Sequence, residues 1–170
     1  ALADYVAKGG YALLRDCHAD RRDAESVIAA LEHAGLRGLG GAGFPAGRKW
    51  RIVRAQSAPR LMAVNIDEGE PGTFKDRWLL ERDPHRFLEG LLIAAWAVGI
   101  EAMYVYLRDE YHGCRAMLEG ELAALRAAPA SGSSRRSRPR CRRGPTRTDS
   151  PRCWRTCSRM RCATRRPAGS

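Results

Sequence analysis

Two short apolar runs, residues 61–66 and 103–107, are separated by a long amphipathic segment, and this alternation constrains the fold more than any other feature of the chain. Strand, helix, strand and helix in that order argue for parallel strands joined by right-handed crossovers, because parallel pairing needs a helix-length connection. The central helix has local boundaries. Asp83-Pro84 provides an N-cap carboxylate followed by proline at the first helical position, and Gly99 closes the far end. Phe87, Leu88, Leu91, Leu92, Ala95 and Trp96 give it a broad apolar face. A second long helix over 111–127 turns Met117, Leu118, Leu122 and Leu125 inward. Upstream, Asp23 opens a helix with Val27, Ile28, Leu31 and Ala34 on one side, and Gly35 ends it. A shorter helix over 47–54 has Trp50 and Val53 inward. The run 61–66 reads as a buried strand. The class is α/β.

At Pro129 the character changes. Residues 129–170 contain no Leu, Ile, Val, Phe or Tyr, so they are expected to bury no core and to form a disordered Arg-rich tail. That tail holds 13 of the 30 basic residues, all of them Arg, against one acid, Asp149. The formal charge of +11 therefore belongs to the tail, and residues 1–128, with 17 basic and 18 acidic side chains, are near neutral. This removes the body of the chain as a nucleic-acid surface. Cys17 and Cys114 lie in the body; Cys141, Cys153, Cys157 and Cys162 lie in the tail. Two scattered body cysteines suggest a reducing cytosol and no disulfide framework. The tail cysteines have 11, 3 and 4 residues between them and no His nearby, which is not a paired zinc-knuckle spacing. Three readings of the tail stand: an RNA-binding arm, a zinc site, or GC-rich DNA translated out of frame, the last fitting its Arg, Pro, Ser, Cys, Trp and Gly composition. No apolar run reaches the roughly 18 residues of a membrane span. The start lacks a signal-peptide h-region, and it lacks an initiator Met, so a fragment is expected.

Between the helices lie two loops of opposite character. The first reads Arg37-Gly-Leu-Gly-Gly-Ala-Gly-Phe-Pro-Ala-Gly-Arg-Lys-Trp50. Gly38, Gly40 and Gly43 match G-x-G-x-x-G, yet a helix rather than a strand precedes them, so this is not a standard dinucleotide fingerprint. Gly38, Gly40, Gly41, Ala42 and Gly43 would still leave backbone N–H groups bare and let a flat ring approach the chain. The next helix would aim its N-terminus, Arg48 and Lys49 at phosphates. Phe44 could stack on a base or simply pack locally. The second loop follows the strand: Asn65-Ile-Asp-Glu-Gly-Glu-Pro-Gly72. Asn65, Asp67, Glu68 and Glu70 crowd carboxylates at the carboxyl end of a strand, where α/β sheets bind ligands. They can accept from ribose hydroxyls or a ring N–H, although Gly-Glu-Pro-Gly is also ordinary turn chemistry. His18, His33, His85 and His112 have no metal spacing, and His85 is expected at the surface. Trp50, Trp78 and Trp96 are expected in the core.

In register, the two loops resemble the NADH- and FMN-binding flavoprotein subunit (51 kDa type) of respiratory complex I and its relatives in NAD-reducing hydrogenases and NAD-linked formate dehydrogenases. The beta subunit of formate dehydrogenase looks nearest. Gly9-Gly-Tyr11, Asp83-Pro-His-Arg-Phe-Leu-Glu-Gly90 and Tyr106-Leu-Arg-Asp-Glu-Tyr111 add to the likeness, which covers about residues 5–128. It implies that residues 1–128 are the N-terminal part of a Rossmann-like FMN/NADH-binding domain, with 129–170 outside it. It implies FMN held by Gly38, Gly40, Lys49, Asn65, Asp67 and Glu68, and NADH held by Gly41, Ala42, Phe44 and Glu70, with Gly43 in the same loop. The chemistry implied is hydride transfer between NAD(H) and FMN, with electrons passed to iron–sulfur centres; no side-chain acid or base is required, so no catalytic residue is expected. Other subunits of a multi-subunit oxidoreductase, an iron–sulfur subunit included, are the implied partners, in the cytoplasm or at a membrane through those partners. The family's second FMN loop and its four-cysteine 4Fe-4S ligands do not occur in the sequence, which stops about a third of the way through the family's length. A truncated nucleotide-binding remnant without activity, and an RNA-binding protein acting through the tail, are the competing functions.

Overall fold

Three strands pair in parallel in their sequence order, as a strand–helix alternation requires. The computed structural model describes residues 2–39 and 42–128, and the backbone alone of 160–164. The elements run α1 Leu2–Ala7, α2 Ala12–His18, α3 Ala24–His33, α4 Ala46–Arg54, β1 Leu61–Ile66, α5 Lys75–Arg82, α6 Pro84–Val98, β2 Ala102–Leu107, α7 His112–Ala127 and β3 Met160–Thr164.

Register explains the core. Met62 pairs with Met103, Val64 with Val105 and Ile66 with Leu107, so these six side chains share one sheet face. Against it pack Leu88, Leu91, Leu92, Ala95 and Val98 of α6 and Leu118, Leu122 and Leu125 of α7, all buried in a single cluster. A fully buried leucine contributes about 1.5–3 kcal/mol, so this seam rather than helix propensity fixes α6 and α7. Helix α6 has the ends its sequence announces. Asp83 accepts from the Arg86 N–H, and Gly99, at φ 76°, takes the left-handed position at the exit.

The opposite sheet face corrects one expectation. Leu61 is 60% exposed and Tyr104 44%, and Ala63 and Asn65 are also exposed. The run 61–66 is therefore not buried on both sides: α6 and α7 share one face, and no described element covers the other.

Helices α3 and α4 pack on α6, and they meet through Gly47. A Cβ there would lie 2.5 Å from Glu32 Cγ, 2.9 Å from Glu32 N and 3.0 Å from Ile28 O, so only glycine permits this approach.

Three further differences concern single elements. His85 is buried, not at the surface, because the start of α6 is wedged between α2 and α7. Its Nδ1 lies 3.0 Å from the Tyr11 hydroxyl and its Nε2 2.9 Å from Glu121. Trp78 is 46% exposed on α5 with the Arg82 guanidinium 4.3 Å from its ring, while Trp50 and Trp96 are half-buried. Within the stretch expected to be disordered, Met160–Thr164 forms β3, paired in parallel with β2 from Met103 to Leu107. Strand pairing is a backbone interaction, so a segment without Leu, Ile or Val can still supply it. The expected RNA-binding arm and zinc set otherwise fall outside the described residues; Cys162 is described only as backbone in β3.

Candidate functional site

The parallel register carries the ends of β1 and β2 forward side by side, so the acidic loop after β1 meets the 108–111 turn after β2. The Arg108 N–H donates to the Ile66 carbonyl at 3.3 Å. The loop opens on an Asx turn, with Asn65 Oδ1 accepting from the Asp67 N–H at 2.9 Å. It closes on Thr73, whose N–H and hydroxyl both donate to the Glu70 carbonyl, at 3.1 and 2.7 Å. The side chains of Asn65 and Glu70 are exposed and that of Asp67 is half-buried.

Glu68 behaves differently. It is buried, and its carboxylate accepts from the Lys75 N–H at 2.9 Å, the Lys75 ammonium at 3.1 Å, the Asp76 N–H at 3.1 Å and the Tyr111 hydroxyl at 3.1 Å. It thus supplies the cap that Phe74, formally preceding α5, cannot. Burial alone would push the Glu68 carboxyl upward, but the donors from Lys75, Tyr111 and Asp76 outweigh it, and its pKa lies below the usual carboxylate value. The Arg108 guanidinium donates to the Glu68 carbonyl at 2.6 Å and to both oxygens of Glu110 at 2.8 and 3.0 Å. Hydrogen bonding from Arg108 pulls Glu110 down to about 2.

The glycine loop is held by backbone. Arg37 and Pro45 form an antiparallel bridge; the Gly38 N–H donates to the Phe44 carbonyl at 3.0 Å and the Ala46 N–H to the Leu36 carbonyl at 2.8 Å. One side chain contributes, Arg37 donating to the Gly43 carbonyl at 3.1 Å. Gly43 sits at φ 58°, and nothing lies within 4 Å of where its Cβ would be. Ala42 is exposed, and Phe44 is 44% exposed beneath the Arg48 guanidinium, 5.9 Å from its ring. Gly40 and Gly41 lie outside the described residues. No side chain caps α4. Arg51 is taken up by Glu25 and Glu32, whereas Lys49 is exposed and has no ion-pair partner among the described residues.

The structure thus groups Asn65, Asp67, Glu68 and Glu70 in one loop and Gly38, Ala42, Gly43 and Phe44 in another, with Lys49 one turn into the helix that follows. Among the described residues no side-chain hydrogen bond or ion pair joins the two. Sequence reasoning treated Glu68 like its acidic neighbours and gave no role to Arg108 and Tyr111. The signal that could have found them was the strand register, which makes whatever follows Leu107 a neighbour of whatever follows Ile66. No helix among the described residues is long and apolar enough to cross a membrane.

A family model described as the Nuo51 FMN-binding domain matches residues 31–163. The chain is 49% identical over 111 residues to an NADH-quinone oxidoreductase F subunit of Rhizobium meliloti (strain 1021), covering 65% of this chain and 26% of the relative. It is 50% identical over 103 residues to the alpha subunit of the NAD-reducing hydrogenase HoxS of Cupriavidus necator, covering 60% of this chain and 17% of that one. A crystal structure of an NAD+-reducing [NiFe]-hydrogenase in the H2-reduced state superposes with a TM-score of 0.63 at 36% identity, covering 84% of this chain and 21% of that chain. The chain spans about a quarter or less of the length of these relatives. With the family model matched from α3 through most of β3, and with both loops inside that span, the chain belongs to the Nuo51 FMN-binding domain family.

Proposed function

We propose that this chain is the flavin-holding portion of an NADH:acceptor oxidoreductase flavoprotein subunit that works within a multi-subunit complex containing an iron–sulfur subunit. The observation that carries the reading is the pairing of an open glycine loop with a free cation one turn into an uncapped helix. Gly43 leaves space, α4 has no side-chain cap, and the Lys49 ammonium is unpaired among the described residues. That arrangement fits a phosphate ester. Gly38, Gly40 and Lys49 would hold the phosphate end of FMN, and Asn65 and Asp67 would offer acceptors to its ring system. Gly41, Ala42, Phe44 and Glu70 would face NAD(H), Phe44 by stacking. Bound flavin supplies the hydride chemistry, and the chain's task is to align and to exclude. Glu68 fits a different task from the one its acidic neighbours suggest, since its oxygens already take four donors from the protein.

The test is a fluorescence titration of the 170-residue chain with FMN and with riboflavin. FMN should bind weakly, and Lys49→Ala should raise its Kd about tenfold, which is 1.4 kcal/mol, while leaving riboflavin unchanged. No FMN binding, or an equal loss for both flavins, would overturn the assignment.

A further inference from the structure

Glu68 and Tyr111, both buried, and the half-buried Arg108 form a polar junction between three segments far apart in sequence. Glu68 lies in the acidic loop, Lys75 and Asp76 begin α5, and Arg108 and Tyr111 flank the turn into α7. Two independent bonds cross from that turn to the loop, one reaching the Glu68 carboxylate and one the Glu68 carbonyl. Tyr111 is buried at 9% exposure, and Arg108, with its side chain 31% exposed, spends its guanidinium on the Glu68 carbonyl and the Glu110 carboxylate. Tyr111 also carries the Arg77 guanidinium 6.0 Å from its ring, which packs a cation of α5 against the same turn.

We propose that Tyr111 and Arg108 are positioning residues that fix the acidic loop in its ligand-ready form before any nucleotide arrives, Tyr111 acting through the Glu68 carboxylate and Arg108 through the Glu68 carbonyl. The inference rests on the flavin-site reading for what the loop is ready for, but not for the existence of the clamp. An ionised carboxylate that takes every available donor cannot swing out to meet a ligand without abandoning the α5 N-terminus. Glu68 therefore sets the place of Asn65, Asp67 and Glu70 and leaves contact to them. The charged and titratable groups around it are Lys75, Asp76 and Arg77 of α5, Tyr111, Arg108 and Glu110 of the turn, and Asp67 of its own loop.

The test compares wild type with Tyr111→Phe, which keeps the ring and removes one hydroxyl. Amide hydrogen exchange over residues 67–76 should rise about three- to tenfold, the loss of one net hydrogen bond, with residues 88–98 and 114–125 unchanged. The pH midpoint read from the Asp76 amide resonance should move upward, because a donor that favoured the ionised carboxylate is gone. FMN affinity should fall by a factor similar to the rise in exchange. Unchanged exchange in 67–76, an equal rise in both helices, or a midpoint that stays or moves down would overturn the clamp. Should Tyr111→Phe fail to fold, Arg108→Ala decides in its place: a rise in exchange over 67–76 with both helices unchanged supports the proposal, and unchanged exchange there overturns it. A wild-type protein that takes no FMN overturns the flavin reading alone, since exchange and pH midpoint need no ligand.

Discussion

The acidic loop and the glycine loop, the two halves of the proposed flavin site, are held in opposite ways. The acidic loop is fastened by side chains: a buried carboxylate takes donors from α5 and from the turn before α7, and Arg108 adds a bond to the loop's own carbonyl. The glycine loop is fastened by its backbone, with a single bridge at its base and one arginine bond to Gly43. Leu39 in it is almost fully exposed. One loop is thus fastened by side chains without any ligand, and the other is left to its backbone. The division follows from composition, since a loop of glycines has no side chains with which to fasten itself, and its small residues are what allow a flat ring to come close.

The largest expected effect comes from disturbing the support behind the open side. Gly47→Val forces β-branched bulk between α3 and α4 where backbone atoms already lie at 2.9 and 3.0 Å from an added Cβ. It should cost about 1–3 kcal/mol and raise exchange in 36–50 while leaving 67–76 alone. Equal loosening of both loops would show that they are one cooperative unit and would break the contrast.

Acid should loosen the acidic side next. The folded-state pKa of Glu68 is depressed, and that of Glu110 lies at about 2. Such groups stabilise the native state above their unfolded values, near 4.5, and that contribution is lost as pH falls through the folded values. Behind the glycine loop one acid behaves alike, Glu32, which Arg51 holds below its ordinary value. A variant that keeps only Trp78, on α5, reports the acidic side by fluorescence. Its emission should change between about pH 4.5 and 2, and emission that stays constant across that window would contradict the assignment.

The smallest effect sharpens the functional half. Phe44 is 44% exposed, so Phe44→Ala should change stability by less than about 0.5 kcal/mol while weakening NADH binding to the FMN-loaded chain. Unchanged NADH affinity, read by fluorescence titration, would remove Phe44 from the nucleotide subsite.

What could be read from sequence follows how local each determinant is. Helix α6 was legible because Asp83 and Gly99 fix its two ends within a turn of the residues they cap. Helix α5 was not, because its cap comes from Glu68, seven residues upstream, and the same carboxylate is shared with a tyrosine 43 residues downstream. His85 misled for the same reason: its position at a helix start suggests solvent, and only the partners Tyr11 and Glu121 show that it is enclosed. The acidic residues were legible as a group, because four polar residues after a strand stand out. Their division into one buried anchor and three more exposed side chains depends on the parallel register, which no single stretch of sequence displays.

That register also has a kinetic side. Leu61 meets Ala102 and Met103 meets Met160, so each strand pairing closes a stretch of roughly 40 to 60 residues. Loop-closure entropy grows only logarithmically, and the longer closure costs about 0.3 kcal/mol more than the shorter one. The order in which the strands join is therefore governed less by the distance to be closed than by which helix has already found its seat. Helix α6, capped at both ends and carrying the broadest apolar face, is the natural nucleus for the first pairing.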